Sequence, residues 1–252
     1  MKIALISTHS TYGKTTLGLL LGGVGAQVFK TPSYLMTTGS FDSHFNVCAD
    51  IDVKMRGHTP EIKAALRAAS VKDAESFATS LTNAGLYPIC EFSDPSLPEE
   101  KAEVVKGFAG LLNPKALVMV EISNEANVED NRAIIETCDV AIIIARPIMG
   151  EYENVKKIID KYKIEIPHVL LLNEVNPLAV TTKELQIWFP EKFWTFSYNP
   201  AIPKFFNKRK AEQLVEGLLR ADFGTGTLRQ EIYNLLSKLY HPVKIPEVSR
   251  WA

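Results

Sequence analysis

The stretch at residues 3–23, "IALISTHSTYGKTTLGLLLGG", decides how this chain is interpreted. It begins as an apolar strand, passes through a short polar turn and continues as an apolar helix. The turn ends in Gly13-Lys14-Thr15-Thr16. In a phosphate-binding loop, backbone N–H groups surround the phosphates, the lysine reaches the β and γ oxygens, and the next hydroxyl binds magnesium. The stretch therefore predicts a nucleotide site.

The predicted loop departs from the usual pattern at its first position. Thr8 stands where a phosphate loop has a glycine, and threonine disfavours backbone angles that glycine permits. We therefore expect a remodelled loop or a lowered affinity. The alternative interpretation is an ordinary capped helix with a solvated lysine. The residues predicted to bind the phosphates are Ser10, Thr11, Tyr12, Gly13, Lys14, Thr15 and Thr16.

Composition indicates a globular protein. The chain has 252 residues, of which 46% are hydrophobic and 23% charged, with a formal net charge of -1. This length suits one large α/β domain. No apolar run reaches the roughly 18 residues of a membrane span, and the N-terminus lacks the features of a signal peptide. Cys48, Cys90 and Cys138 form no C-x-x-C pair, so we expect reduced, buried thiols in a cytoplasmic protein.

Apolar runs alternate with amphipathic ones along the chain. This alternation predicts a doubly wound, mainly parallel sheet with helices on both faces, in a single domain over residues 1–252 with a C-terminal helical extension from about 227. Residues 31–59 are the least regular. The predicted strands are 2–7, 27–30, 87–92, 116–122, 140–145, 168–173 and 193–197. The predicted helices are 15–23, 59–69, 70–85, 97–114, 152–163, 181–189, 210–221 and 227–240.

A second part of the site is predicted at Glu121, in "VMVEIS". A carboxylate at the end of a buried strand is costly without a partner. We expect Glu121 and Thr15 to hold a magnesium ion, with Glu121 acting through a water molecule. The alternative for Glu121 is a strand-end glutamate that reaches solvent.

Taken in order, these motifs resemble the ParA/MinD family of deviant Walker ATPases, within the wider group that includes nitrogenase iron protein. "HSTYGKTT" matches the family loop K-G-G-x-G-K-T-T, and "EISN" falls on its D-x-P-P motif. "CDVAIII" leads to a proline, as the family's A-D strand does. "VLLLNEVNP" carries Asn173, at the position that touches adenine in the family, and "FSYNPAIPKF" is similar to the segment that lines the base.

The resemblance implies an ATP- and Mg²⁺-binding switch that forms a homodimer and recruits cargo, either DNA or a protein assembly. Some family features are changed. The signature lysine, which reaches the partner's phosphates, falls on His9. Asp42 is the nearest candidate for the carboxylate that positions the attacking water, with Asp50 and Asp52 as competitors. Binding is therefore predicted more firmly than hydrolysis, which we expect to be weak and to depend on dimerisation or a partner.

Two other functions stay open at this stage. The changes at Thr8 and His9 suit a degenerate, non-hydrolysing protein that acts as a structural or regulatory partner. The same scaffold also supports metabolic enzymes, such as ligases that phosphorylate a carboxylate.

The C-terminal part holds two further features. A basic segment could contact DNA phosphates, with a solvated helix start as the alternative. The apolar face of helix 227–240 favours packing on the domain or on a second subunit over membrane binding. The basic residues of the segment are Lys204, Lys208, Arg209 and Lys210.

Overall fold

The central element of the molecule is a sheet in the strand order β3-β4-β2-β5-β1-β6-β7-β8. The computed structural model describes residues 1–10, 12–28, 30, 32–37, 79–80, 88–91, 107, 115–124, 127–202 and 226–240. All neighbouring strands in this part of the chain run parallel, except that β3 is antiparallel to β4. The strands are β1 Lys2–Ser7, β2 Ser33–Thr37, β3 Thr79–Ser80, β4 Pro88–Glu91, β5 Leu117–Glu121, β6 Val140–Ala145, β7 His168–Val175 and β8 Phe193–Ser197.

Helices cover both faces of this sheet, so the predicted doubly wound α/β fold is confirmed. One face packs against α2, α3 and α4, and the other packs against α1 and α5. Within the described residues the helices are α1 Lys14–Val28, α2 Val128–Ile135, α3 Glu151–Tyr162, α4 Thr182–Trp188 and α5 Gly226–Tyr240.

The strands are apolar at nearly every position because both of their faces are covered. All six residues of β6 are buried. In β1 only Lys2 is not fully buried. Such strands can present polar groups to a ligand only at their ends. In open α/β sheets ligands bind beyond the carboxyl ends of the strands, so we expect a site there.

Helix α1 lies close to the sheet. A Cβ atom added at Gly18 would lie 2.6 Å from Leu35 Cδ1, and one added at Gly25 would lie 2.7 Å from Leu117 Cδ2. The absence of side chains at these two positions allows the close approach. It places the start of α1 directly above the end of β1.

Helix α5 is part of the same core as α1. Leu228, Ile232, Leu235 and Leu236 are buried in one cluster with Leu20 and Val24 of α1. The predicted apolar face of this helix therefore packs on the domain itself. No helix in the described parts of the chain is long and apolar enough to cross a membrane.

Three predicted elements differ from the structure. Residues 27–28 belong to α1 and not to a strand, and β2 lies at Ser33–Thr37, inside the segment expected to be irregular. Thr79–Ser80 form β3, although a helix was predicted over 70–85. The two strands, β2 and β3, are stabilised by pairing with neighbouring strands, which local propensity does not indicate.

The other strands were predicted closely. Three of them have the predicted bounds, namely β1, β6 and β8, and β4, β5 and β7 differ only at their ends. The predicted helices 59–69 and 210–221 lie outside the described residues, as does 97–114 apart from Gly107, which is helical.

Candidate nucleotide-binding site

The candidate site begins where β1 ends. Ser7, the last residue of β1, is fully buried, and α1 begins at Lys14. Between them, Ser10 is exposed and Tyr12 is partly buried, while Thr11 lies outside the described residues. The predicted strand–loop–helix context of the phosphate loop is therefore present.

Gly13 closes the loop in a conformation that favours glycine. Its φ angle is +85°, and a Cβ atom there would lie 2.9 Å from Asn173 Nδ2. The same amide nitrogen donates a hydrogen bond to the carbonyl oxygen of Tyr12, at 3.1 Å. Asn173 therefore supports the loop from β7; its predicted contact with the base stays a prediction.

The first turn of α1 offers backbone donors to an anion. The amide of Leu17 donates to the carbonyl of Gly13 at 2.8 Å, which is the first hydrogen bond of the helix. The amides of the first turn of an α-helix lie at the positive end of the helix dipole, which attracts anions. Lys14, Thr15 and Thr16 lie in this turn, where the sequence predicts phosphate binding.

Lys14 is buried, with only 4% of the residue exposed. Its amine donates to Ser7 Oγ at 2.9 Å and to Asn124 Oδ1 at 3.1 Å. Asn124 Nδ2 in turn donates to the carbonyl of Ser7 at 3.2 Å. A buried cation needs such polar contacts, so Ser7 and Asn124 hold the lysine beside the loop.

Thr15 and Glu121 are brought together as predicted for a magnesium site. Thr15 Oγ1 lies 3.0 Å from Glu121 Oε1 and 2.8 Å from Oε2. These distances are those of a hydroxyl–carboxylate hydrogen bond. Both groups are hard oxygen donors, the type that Mg²⁺ prefers, so the donor set fits this ion.

The surroundings of the Glu121 carboxyl group change its pKa. Burial raises its pKa above the ordinary 4.5, while the charge of Lys14 and the hydrogen bond from Thr15 act in the opposite direction. A divalent cation beside Glu121 would add a further charge that favours the ionised form. The sequence prediction that this carboxylate faces a partner, and not open solvent, agrees with this environment.

Thr8 does not obstruct the loop. Its φ angle is not positive, so the backbone there does not need a glycine. Its hydroxyl donates a hydrogen bond to Glu151 Oε1, at the start of α3. The expectation that threonine would be disfavoured at this position is therefore corrected: its side chain is used to fix the loop to α3.

The outer side of the loop carries an aromatic and cationic cluster. The rings of His9 and Tyr12 are 4.8 Å apart, and the guanidinium of Arg146 lies 4.9 Å from the Tyr12 ring centroid. Arg146 also forms a salt bridge of 2.9 Å with Glu174. His9 itself is exposed. Among the described residues near the loop, Arg146 is thus a cation that the sequence analysis did not select.

A cleft adjoins the loop on the side of β7 and β8. Its polar lining includes Thr16, Asn173, Glu174, Ser197 and Asn199, and apolar side chains of α1, β8 and α5 complete it. The segment "FSYNPAIPKF", expected to line a base, supplies part of this wall. The full lining is Gly13, Thr16, Leu17, Leu20, Asn173, Glu174, Phe196, Ser197, Tyr198, Asn199, Ile202 and Leu228.

Several predicted residues cannot be placed relative to this site. Asp42, Asp50 and Asp52, the candidates for positioning the attacking water, lie outside the described residues. The basic residues predicted to contact DNA lie outside them too, namely Lys204, Lys208, Arg209 and Lys210. By contrast, Asp139, the acidic residue of "CDVAIII", is placed away from the loop. It precedes β6 at the amino end of the strands, where its carboxylate accepts from the Lys2 amide at 2.7 Å.

Asn124 and Glu151, which the sequence analysis did not predict, are distant from the loop in sequence, whereas Ser7 directly precedes it. Ser7, Asn124 and Glu151 contact Lys14 or Thr8 only because the carboxyl ends of β1, β5 and β6 meet at one edge. Asn124 had a weak signal, since it is the last residue of the "EISN" motif.

In sequence, neither a protein-family model nor a curated protein matches the chain. Solved structures do match it in three dimensions. A chain of the MinC:MinD cell division protein complex of Aquifex aeolicus has a TM-score of 0.67 at 12% identity, covering 96% of this chain and 98% of that one. The ParA family ATPase of Chlorobium tepidum has a TM-score of 0.67 at 11% identity, covering 93% and 97%.

A third solved structure also matches. The septum site-determining protein MinD of Pyrococcus horikoshii, complexed with Mg-ADP, has a TM-score of 0.66 at 13% identity, covering 95% of this chain and 96% of that one. In each of these comparisons the match covers almost the full length of both chains. The resemblance inferred from the motifs is therefore confirmed at the level of the fold, and the chain has the fold of ParA- and MinD-type ATPases.

Proposed function

We propose that the protein is a nucleotide switch that binds ATP with Mg²⁺ at the loop between β1 and α1. The observation that carries this proposal is the pairing of Thr15 Oγ1 with both oxygens of Glu121, at 2.8 and 3.0 Å. It lies next to a buried lysine and to the first turn of α1. Each of these groups has a distinct partner in a Mg-triphosphate.

Different residues bind different parts of the Mg-nucleotide. The amides of Lys14, Thr15 and Thr16 bind phosphate oxygens, and the Lys14 amine exchanges Asn124 for an oxygen of the β or γ phosphate. Thr15 and Glu121 hold the magnesium ion, which supplies charge neutralisation of the triphosphate. Asn173 and the cleft beside it receive the base.

We further infer that hydrolysis is weak and depends on dimerisation or on a partner. Positioning of a water molecule and stabilisation of developing charge both need groups beyond the binding loop. In this chain His9 replaces the lysine that the family uses between subunits. The bound state is proposed to favour a homodimer that positions cargo, either DNA or a protein assembly.

Calorimetry with Mg-ATP tests the binding step. Lys14→Ala and Thr15→Ala should each weaken Mg-ATP binding by roughly 100-fold, since each removes contacts to charged groups. Lys157→Ala and Thr182→Ala remove the same side chains from exposed positions of α3 and α4, and they should leave affinity unchanged. If the wild type released no heat with Mg-ATP, the proposed function would be wrong.

The degenerate, non-hydrolysing protein is the second candidate function. It is favoured by the exposure of His9, whose ring contacts Tyr12 in place of an extended lysine. Phosphate release separates the two functions. A rate above background that Lys14→Ala abolishes supports the weak ATPase, and binding without any release, even at high protein concentration, supports the second candidate.

A further inference from the structure

The end of β8 is fastened to α5 by one carboxylate. Ser197 donates from its backbone N–H to Glu231 Oε2 at 2.8 Å and from its hydroxyl to Glu231 Oε1 at 2.7 Å. Ser197 and Glu231 are 34 residues apart in sequence, so the contact fixes the position of one element on the other. Hydrogen bonds to an ionised group are about twice as strong as neutral ones.

The same helix forms part of the cleft beside the loop. Leu228 lies one turn before Glu231, on the same face of α5, and it lines the cleft together with Ser197. Leu228 is buried, with 3% of the residue exposed. Further along the helix, Ile232 and Leu235 are buried in the core that α5 shares with α1.

The wall that follows Ser197 is fixed at few other points. The amide of Tyr198 donates to the carbonyl of Val175 at 2.9 Å, and Asn199 Oδ1 accepts from the amide of Ala201 at 2.9 Å. The bond to Val175 joins this wall to β7, and the Asn199 contact is local. Glu231 is therefore the described side chain whose hydrogen bonds join the wall to α5, in addition to the packing of Phe196 and Ile202 in the core that contains α5.

We infer that Glu231 is a positioning residue for the base of the nucleotide, and that docking of α5 and binding of the base stabilise each other. This inference rests on the proposed function. A base in the cleft packs against Leu228 and against the wall that Glu231 holds, so it binds best when α5 is docked. By thermodynamic linkage the bound base then favours the docked helix to the same extent.

The inference predicts that loss of Glu231 affects binding of the base and not binding of the phosphates. The phosphates bind at α1, which Glu231 does not touch, while the base binds between α5 and β8. Loss of Glu231 should therefore weaken ligands that carry a base and should spare tripolyphosphate, which has none. Loss of the loop lysine should weaken both.

The first test measures the affinities of Mg-ATP and magnesium tripolyphosphate by calorimetry. Glu231→Ala should weaken Mg-ATP by about tenfold, and Glu231→Gln should weaken it less, because its amide oxygen still accepts one bond. Both variants should bind tripolyphosphate like the wild type. Gln230→Ala is the matched control on the exposed side of α5, where Gln230 contacts only Asn234 among the described side-chain bonds. Equal weakening of both ligands, or no weakening of Mg-ATP, would overturn the inference.

The second test needs no variant. In the wild type, hydrogen exchange of the α5 amides should slow with Mg-ATP and should not slow with tripolyphosphate. Exchange that responds equally to the two ligands, or to neither, would contradict the coupling. If the wild type binds neither ligand, the proposed function is wrong. If the wild type and the Glu231 variants bind Mg-ATP with equal affinity, only this inference is wrong.

Discussion

The hydroxyl of Thr8 donates a hydrogen bond to the carboxylate of Glu151, 143 residues further along the chain. Glu151 is buried, with 5% of the residue exposed, and its second oxygen accepts from Asn154 Nδ2 at 3.0 Å. The contact joins the first residue after β1 to the first residue of α3. A threonine at this point of the loop therefore joins the loop to α3.

Removing this anchor should destabilise the protein. Thr8→Val keeps the shape of the side chain but leaves one buried oxygen of Glu151 without its donor. We expect the free energy of unfolding to fall by about 1–3 kcal/mol and Mg-ATP to bind several times more weakly, as measured by urea denaturation and calorimetry. Glu153→Gln, on the exposed side of α3, is the control. Its ion pair with Lys156 is exposed, and such pairs contribute little, so both quantities should stay close to the wild type. A valine variant as stable as the wild type would show that the contact has no net effect.

Gly13 and Gly150 form a matched pair for testing the loop geometry. Their φ angles are +85° and +86°, but an added Cβ atom meets Asn173 Nδ2 at 2.9 Å in Gly13 and nothing within 4 Å in Gly150. Both alanine variants should lose about 1–2 kcal/mol to backbone strain. Gly13→Ala should lose more and should also weaken Mg-ATP binding, because it displaces Asn173. Equal stability losses and unchanged binding would argue against the close contact.

The ionised carboxylate of Glu121 should lower the unfolding free energy of the nucleotide-free protein, and it should also contribute to metal binding. Its pKa is raised in the folded state, above the 4.5 of an exposed glutamate, chiefly by burial. The folded protein therefore binds this proton more tightly than the unfolded chain does. The stability from this group is fully present below about pH 4.5 and is lost as the pH rises through the folded-state pKa.

Glu121→Gln removes this dependence. Without nucleotide, the glutamine variant should gain in unfolding free energy over the wild type as the pH rises, and at pH 7 it should be the more stable of the two. It should bind Mg-ATP about 10–100-fold more weakly. Denaturation curves between pH 4 and 8 measure the first effect, and calorimetry measures the second. A stability difference that does not change with pH would contradict the raised pKa.

His9 allows the proposed dimer to be tested separately from binding. Because His9 is exposed and contacts Tyr12, His9→Lys should leave the affinity of the monomer for Mg-ATP within about twofold of the wild type. It should strengthen nucleotide-dependent association, since a lysine can reach a second subunit's phosphates. Light scattering with a slowly hydrolysed analogue measures this, and His9→Ala is the control. Identical masses for all three proteins with and without nucleotide would count against the dimer.

Much of the fold and half of the site could be predicted from the sequence because local chemistry specifies them. The run of apolar residues in β6 is typical of a strand that is covered on both faces. Gly13 through Thr15 likewise need only their own neighbours to form a loop and a helix start. Glu121 could be found because a carboxylate ending a buried strand is costly without a partner.

The rest depends on contacts between distant parts of the chain. Nothing near Glu151 or Glu231 in sequence indicates that one holds the loop and the other holds the wall of the cleft. The strand β2 was missed for a related reason, since Ser33–Thr37 is stabilised by pairing on both sides, with β4 and with β5. Such pairings follow from topology, which residue patterns specify only in part.

The central claim is that the amides of α1, Lys14 and the pair Thr15–Glu121 together bind Mg-ATP. A crystal structure with magnesium and a slowly hydrolysed ATP analogue tests it most directly. We expect the triphosphate to lie over the start of α1, the Lys14 amine to leave Asn124 for a phosphate oxygen, and a magnesium ion to lie between Thr15 and Glu121. A triphosphate bound elsewhere, or a loop still holding Lys14 against Asn124 at saturating analogue, would contradict the account.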